Sequence, residues 1–287
     1  MNCTIHKNPM DFLDICRPAL EAKEAVYNLM LGISIRLVKN PLFYGSQPLL
    51  ATVIEGEKLD LAALMTPPYK LQIAQFNTGS LESVKLLAST IHECGWHVPA
   101  VVSEEKVAGT FAVRWSELVG TTIHAGMRQR IYELRKVNPL QHPDGVFRQA
   151  KIDDLDRVIK WSHLFHVDCF GDSENQEIDD RQTRTLVEEG NLFFWCDPEP
   201  VSMAGLTRPT PRGISVSFVY TPPEFRRKGY ASAVVARLSQ YCLESGREFC
   251  TLYTDLSNPT SNSIYQKIGY NAVADVADFC FSEVTDE

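Results

Sequence analysis

Ile214-Ser215-Val216-Ser217-Phe218-Val219-Tyr220-Thr221-Pro222-Pro223-Glu224-Phe225-Arg226-Arg227-Lys228-Gly229-Tyr230-Ala231 passes from an alternating apolar strand, through a proline turn and a basic run, into a helix. The order carries chemistry. The first four N–H groups of a helix have no intrahelical partner, and the aligned peptide dipoles leave a partial positive charge there, so a phosphate is held without a dedicated side chain. Gly229 and the small Ala231 let the backbone approach such an anion closely, and Arg226, Arg227 and Lys228 add positive charge. The stretch reads as a pyrophosphate cradle. It has neither the G-K-[ST] of a Walker loop nor G-x-G-x-x-G, so it matches neither of those phosphate motifs.

Working outward, the helix predicted over Tyr230 to Leu243 turns Tyr230, Val234, Leu238 and Tyr241 to one face and stops before Gly246. A strand (Phe249 to Thr254) follows. Then comes Asn258-Pro259-Thr260-Ser261-Asn262-Ser263-Ile264-Tyr265-Gln266-Lys267-Ile268-Gly269-Tyr270, a helix with Asn258 as its cap, Ile264 and Ile268 on its core face and Gly269 at its end.

The two segments together resemble the GNAT superfamily of N-acetyltransferases. Arg226, Gly229 and Ala231 stand at the fixed positions of that family's [Q/R]-x-x-G-x-[G/A]. Residues 258 to 270 are similar to its N-x-x-A-x-x-L-Y-x-K-x-G-F element, with Ser261 for Ala and Tyr270 for Phe. The resemblance covers about residues 145 to 287. It implies acetyl-CoA as co-substrate, with the backbone of Phe218, Val219 and Thr221 along the pantetheine arm and residues Arg226, Arg227, Lys228, Gly229, Tyr230, Ala231 and Ser232 around the pyrophosphate. An arm with two amides can mimic a neighbouring strand. Asn258, a cofactor-side candidate, also suits a helix cap.

The first half repeats the pattern faintly. Leu61-Ala62-Ala63-Leu64, Pro67-Pro68 and Leu71-Gln72-Ile73-Ala74-Gln75-Phe76 align with Met203-Ala204-Gly205-Leu206, Pro209-Thr210-Pro211 and Ile214 to Val219, at an offset of 142 to 143 residues. A helix over Leu81 to Glu93 and a strand over Val98 to Val102 follow, as in the second half. Where the cradle should recur, only Asn77-Thr78-Gly79-Ser80 is found, without basic residues. The reading is a tandem α/β (α+β) protein, each half a mixed, mainly antiparallel sheet flanked by helices. Residues 1–140 form a degenerate copy without a cradle and 141–287 the acetyl-CoA-binding domain, divided at the Pro- and Gly-punctuated Asn138 to Gly145. Asp153 to Phe165 is expected as an amphipathic helix with Leu155, Val158, Ile159, Ser162 and Phe165 inward, and Asp172 to Arg181 as a loop or helix start.

Acetyl transfer from a thioester needs a neutral amine and a proton for the departing thiolate. Tyr265, from its place in the family-like helix, is the candidate acid, because a phenol of ordinary pKa near 10 keeps its proton at neutral pH; the same position also suits a packed core aromatic. Many family members carry a Glu on the strand before the cradle, but Ser215-Val216-Ser217-Phe218 has no carboxylate. His166, Asp168, Glu174, Glu177 or a water chain are the alternatives for the base.

Composition limits the partners. The net charge is -8, with 14 Lys/Arg against 13 Asp/Glu in residues 1 to 140 and 14 against 23 in 141 to 287. That argues against nucleic acid; the acidic second half favours a cationic acceptor, and solubility alone explains it as readily. No apolar run approaches a membrane span and no basic-then-apolar leader opens the chain, so a cytoplasmic protein is expected, monomeric or homodimeric, with a small-molecule or peptide amine as substrate. Eight scattered cysteines read as reduced thiols, and no metal is expected. A non-catalytic acyl-CoA sensor, and an O-acyl or longer-chain acyltransferase, are the competing readings.

Overall fold

A computed structural model describes residues 1–77, 81–171 and 176–283, and the side chains of all of these except residues 170 and 176–179. The chain divides into two compact units: Met1–Ile131 with Asp255–Ser257 and Val273–Glu287, and Tyr132–Thr254 with Asn258–Ala272.

The first unit runs β1 (Asn2–Ile5), α1 (Pro9–Ala22), α2 (Asn28–Lys39), β2 (Leu49–Glu55), β3 (Lys58–Met65), β4 (Leu71–Gln75), α3 (Glu82–Glu93), β5 (Ala100–Ser103), α4 (Glu105–Val119) and most of β6 (Thr121–Leu134). Strands β1 to β4 pair antiparallel in sequence, and β4 pairs parallel with β5. The strands are nearly continuous apolar runs because both faces are covered. Leu61, Ala63 and Met65 of β3 pack with α3 and α4 residues such as Leu87 and Phe111, while Ala62 and Leu64 pack with Phe12, Leu13 and Leu31 of α1 and α2.

The second unit runs β7 (Val146–Gln149), a 3-10 turn at Ile152–Asp154, α5 (Leu155–Phe170), α6 (Gln176–Glu188), β8 (Leu192–Cys196), β9 (Pro200–Thr207), β10 (Gly213–Tyr220), α7 (Tyr230–Glu244), β11 (Phe249–Asp255), α8 (Pro259–Ile268) and the start of β12 (Asn271–Glu283). Strands β7 to β10 pair antiparallel in order, and β10 pairs parallel with β11. Each unit is thus a mixed, mainly antiparallel sheet flanked by helices, and the two hairpins aligned in the sequence are β3–β4 and β9–β10.

Two boundaries differ from the sequence reading. The change of unit falls after Ile131 rather than near residue 140, and from Val273 onward β12 counts with the first unit rather than the second. There Ala277 to Cys280 pair with β5, and the buried Asp278 carboxylate takes Lys70 and the Met127 N–H. A strand goes where its edge hydrogen bonds are met, which its own sequence does not reveal. The expected buried face of α7 also ends early. Tyr241 is 41% exposed and lays its ring against Phe193 at 5.4 Å, whereas Tyr230, Val234 and Leu238 are buried.

Candidate functional site

The site is built where β10 loses its neighbours. On one side, Ser217 pairs with Gly205 but the next pair is Tyr220 with Met203, so β10 spends one more residue than β9 and bulges. Phe218 takes φ +52° there, a conformation that bulky residues rarely adopt and that commonly marks a functional position. Its ring is held by Phe165 and His166 of α5, at 5.6 and 5.9 Å between centroids. On the other side, β10 pairs with β11 at Gly213–Phe249, Ile214–Cys250 and Ser215–Thr251, and among the described residues no pairing of these strands continues beyond. The Ser215 and Thr251 hydroxyls close this last rung at 2.8 Å, both fully buried. Phe218 and Val219 follow beyond this last rung, where β10 has no described pairing with β11.

The turn that follows is fixed locally. Ser202 Oγ donates to the Tyr220 carbonyl at 3.2 Å and shares a hydrogen bond with Thr221 Oγ1 at 2.8 Å. Pro223–Phe225 form a 3-10 turn, after which Arg227 (φ +64°) and Gly229 (φ +85°) adopt left-handed backbone. Gly229 is the N-cap of α7 and supplies no side-chain cap, so the N–H groups of Tyr230, Ala231 and Ser232 head the helix. Ala231 and Ser232 are half-buried, while Tyr230 is buried and its hydroxyl donates to Asp197 at 2.5 Å. Arg226, Arg227 and Lys228 are exposed, with Lys228 Nζ 5.6 Å from the centre of the Phe225 ring. The arrangement offers an anion backbone donors and a helix dipole, with the cationic Arg227 and Lys228 beside them and Arg226 paired with Asp168.

Two of the sequence candidates meet each other. Arg226 donates through Nε to the Thr221 carbonyl at 2.9 Å and pairs through Nη2 with Asp168 at 2.5 Å. Thr221 therefore has its carbonyl occupied, and Asp168 is an ion-pair partner of the cradle's arginine. His166 lies against the bulge. Glu174 and the side chain of Glu177 fall outside the described residues. Asn258 Oδ1 accepts from the Ser261 N–H at 3.0 Å, so Asn258 is the cap of α8, and Gly269 ends that helix at φ +116°.

Tyr265 is buried on α8 between two other tyrosines, Tyr132 at 6.4 Å and Tyr270 at 6.1 Å between ring centres. The Tyr270 hydroxyl bonds Ser239 of α7 at 2.8 Å, and that of Tyr132 bonds Asn262 at 3.0 Å. The Tyr265 hydroxyl has no hydrogen-bond partner among the described residues. Burial, and to a lesser degree the nearby Cys169 thiol, push its pKa up from the usual 10. Tyr132 was not found from the sequence. A strand-end tyrosine that alternates inward and needs a partner for its hydroxyl was the available signal.

Residues 155–270 match the model of the Acetyltransferase (GNAT) family. The chain has the GNAT fold. Solved structures with that fold align over nearly the whole chain at low identity. A Drosophila protein is 13% identical with TM-score 0.66, covering 98% of each chain. A GNAT-family acetyltransferase from Colwellia psychrerythraea is 12% identical with TM-score 0.59, over 98% of this chain and 100% of the other. A tandem GNAT protein from the clavulanic acid biosynthesis pathway is 11% identical with TM-score 0.56, over 100% and 99%. No curated protein matches the chain. Among the described residues no group of His, Cys, Asp and Glu is disposed to hold a metal ion, and no helix is long and apolar enough to cross a membrane.

In the first unit the corresponding positions differ. β4 keeps unbroken register with β3 from Leu61–Gln75 to Leu64–Gln72, without a bulge. The Ile73 carbonyl accepts from Ser103 Oγ at 2.7 Å, and that of Gln75 from the Tyr27 hydroxyl at 2.8 Å. The first turn of α3 carries the acidic Glu82, and of the sequence Asn77-Thr78-Gly79-Ser80 only Asn77 is described.

Proposed function

We propose that this chain is an acetyl-CoA-dependent N-acetyltransferase that acylates a primary amine of a small molecule, amino acid or peptide. The observation that carries the reading is the end of the β10–β11 pairing at Ser215 and Thr251, followed on β10 by a bulge and by the N-terminus of α7. Backbone groups at Phe218 and Val219 would meet the pantetheine amides as a neighbouring strand would. Arg226, Arg227 and Lys228, with the N–H groups of Gly229, Tyr230, Ala231 and Ser232, would hold the pyrophosphate. Asn258 contributes by capping α8.

In the reaction the amine nitrogen attacks the thioester carbonyl, the C–S bond breaks, the leaving thiolate takes the Tyr265 proton, and the phenolate so formed is reprotonated at once by the proton the amine gives up. A phenol with a raised pKa holds that proton throughout the neutral range, and its hydroxyl is not committed to another described group. The amine proton leaves to His166 or to water. His166 is favoured over Asp168 because its ring borders Phe218, whereas the Asp168 carboxylate pairs with Arg226. The excess acidic charge of the second half suits a cationic acceptor.

The first unit is proposed as a degenerate copy. Its β4 carbonyls at Ile73 and Gln75 are engaged by Ser103 and Tyr27, and Glu82 opposes an anion at the head of α3.

The test is acetyl transfer to a panel of primary amines (spermidine, tyramine, lysine and a free-N-terminal dipeptide), read by mass, with Tyr265→Phe alongside. Turnover that falls in the variant while acetyl-CoA affinity holds supports Tyr265 as the acid. Acetyl-CoA binding with no transfer to any amine supports the sensor instead.

A further inference from the structure

Three tyrosines pack together within the second unit, Tyr265 edge to face with Tyr270 and tilted against Tyr132, and two of their hydroxyls are tied down. The Tyr132 tie is unusual in where it lands. Its hydroxyl donates to Asn262 Oδ1 at 3.0 Å and accepts from Gln266 Nε2 at 3.3 Å, two residues one helical turn apart on α8 that bracket Tyr265. Asn262 passes the constraint on, donating from Nδ2 to the Asn258 carbonyl at 2.7 Å, and Asn258 in turn caps the first turn of α8. The Tyr132 ring is fully buried and lies 6.4 Å from that of Tyr265 at a 56° tilt.

A phenol that must reach a leaving sulfur has to be placed to within a fraction of an ångström, because proton transfer requires heavy atoms at about 2.6–3.2 Å. Tyr265 gets no such placement from its own hydroxyl, which has no partner among the described residues. Its position comes from its neighbours. Tyr270 fixes one side of the ring through Ser239, and Tyr132 fixes both the other side and the helix that carries it.

We infer that Tyr132 is a positioning residue for Tyr265, its hydroxyl bridging Asn262 and Gln266 so that α8 presents the Tyr265 phenol in one orientation. The inference rests on the reading of Tyr265 as the acid. Tyr132→Phe keeps the buried ring and removes only the bridge.

The experiment is a double-mutant cycle of Tyr132→Phe and Tyr265→Phe, read as turnover of acetyl-CoA with the most active amine of the panel above, with acetyl-CoA affinity and unfolding temperature measured for each. The expected result is a fall in kcat of about tenfold for Tyr132→Phe, acetyl-CoA affinity changed less than about twofold, and no further fall when Tyr132→Phe is added to Tyr265→Phe. Full activity in Tyr132→Phe beside a large loss in Tyr265→Phe overturns the positioning role and leaves the acid reading intact. Equal losses from Tyr132→Phe in both backgrounds reduce it to a structural role and overturn it as well. Full activity in Tyr265→Phe overturns the acid and the positioning role together. A second readout needs no acceptor: in protein labelled at the tyrosine ring carbons, the Tyr265 resonance, identified by its absence from Tyr265→Phe, is expected to shift and broaden in Tyr132→Phe. An unmoved resonance overturns the inference.

Discussion

Ser215 Oγ and Thr251 Oγ1 meet at 2.8 Å, fully buried, at the last place where β10 and β11 are paired. A hydrogen bond between two buried hydroxyls costs more to break from one side than from both, because the survivor keeps its desolvation penalty. Ser215→Ala should therefore lower stability by about 1–3 kcal/mol, and adding Thr251→Val should recover part of that loss. Urea unfolding of Ser215→Ala, Thr251→Val and the double checks this; a double variant as destabilised as the sum of the singles would count against the rung.

A second expectation concerns pH and turnover. The pKa of Tyr265 is raised by burial, so its proton is retained above the ordinary phenol range near 10. With Tyr265 as the acid, kcat should rise with pH as the amine deprotonates and should show no alkaline fall below about pH 10. A pH–rate profile falling near pH 8 would assign the acid to another group.

A third expectation tests a cap in the second unit. Asp154 accepts two hydrogen bonds from Arg148, both at 2.8 Å, and one from the Lys151 N–H at 2.8 Å. The Arg148 bonds chiefly, with the Lys151 N–H, hold its pKa below the usual carboxylate value, against a smaller opposing effect of burial. A lowered folded-state pKa stabilises above the unfolded value near 3.9, and that stabilisation is lost as pH falls through the folded value. Asp154→Asn should cost about 1–2 kcal/mol at pH 7 and progressively less in acid. Unfolding at several pH values decides it, a pH-independent deficit being the contrary result.

A fourth concerns the first unit. Tyr27→Phe and Ser103→Ala remove the donors to the Gln75 and Ile73 carbonyls. Each should lower stability by about 1 kcal/mol and leave acetyl-CoA affinity within about twofold. A variant that gains a second acetyl-CoA site would be informative, since it would mean that these side chains alone block the copy.

The sequence carried the second unit's site further than its surroundings. Tyr230 to Glu244 and Pro259 to Ile268 were legible because Gly229, Asn258 and Gly269 punctuate them with backbone chemistry of their own. The helix expected over Asp153 to Phe165 begins instead as a 3-10 turn and runs to Phe170 as α5, a boundary that periodicity alone does not mark. The bulge was not legible, because Phe218 is not a residue type that announces a positive φ. Non-local pairings were not legible. Asp168 and Arg226 are 58 residues apart and Tyr132 and Asn262 130 apart, and nothing in either member of a pair names the other. The allegiance of β12 to β5 was hidden for the same reason.

The most direct measurement is a calorimetric titration of the reduced protein with acetyl-CoA, alongside Gly229→Asp. The aspartate would force a side chain onto a φ of +85° and set a carboxylate at the head of α7, where it repels the phosphates. Saturable binding at one acetyl-CoA per chain, lost in the variant, is the predicted result. No binding by the wild type, or binding undiminished in Gly229→Asp, would contradict the cradle.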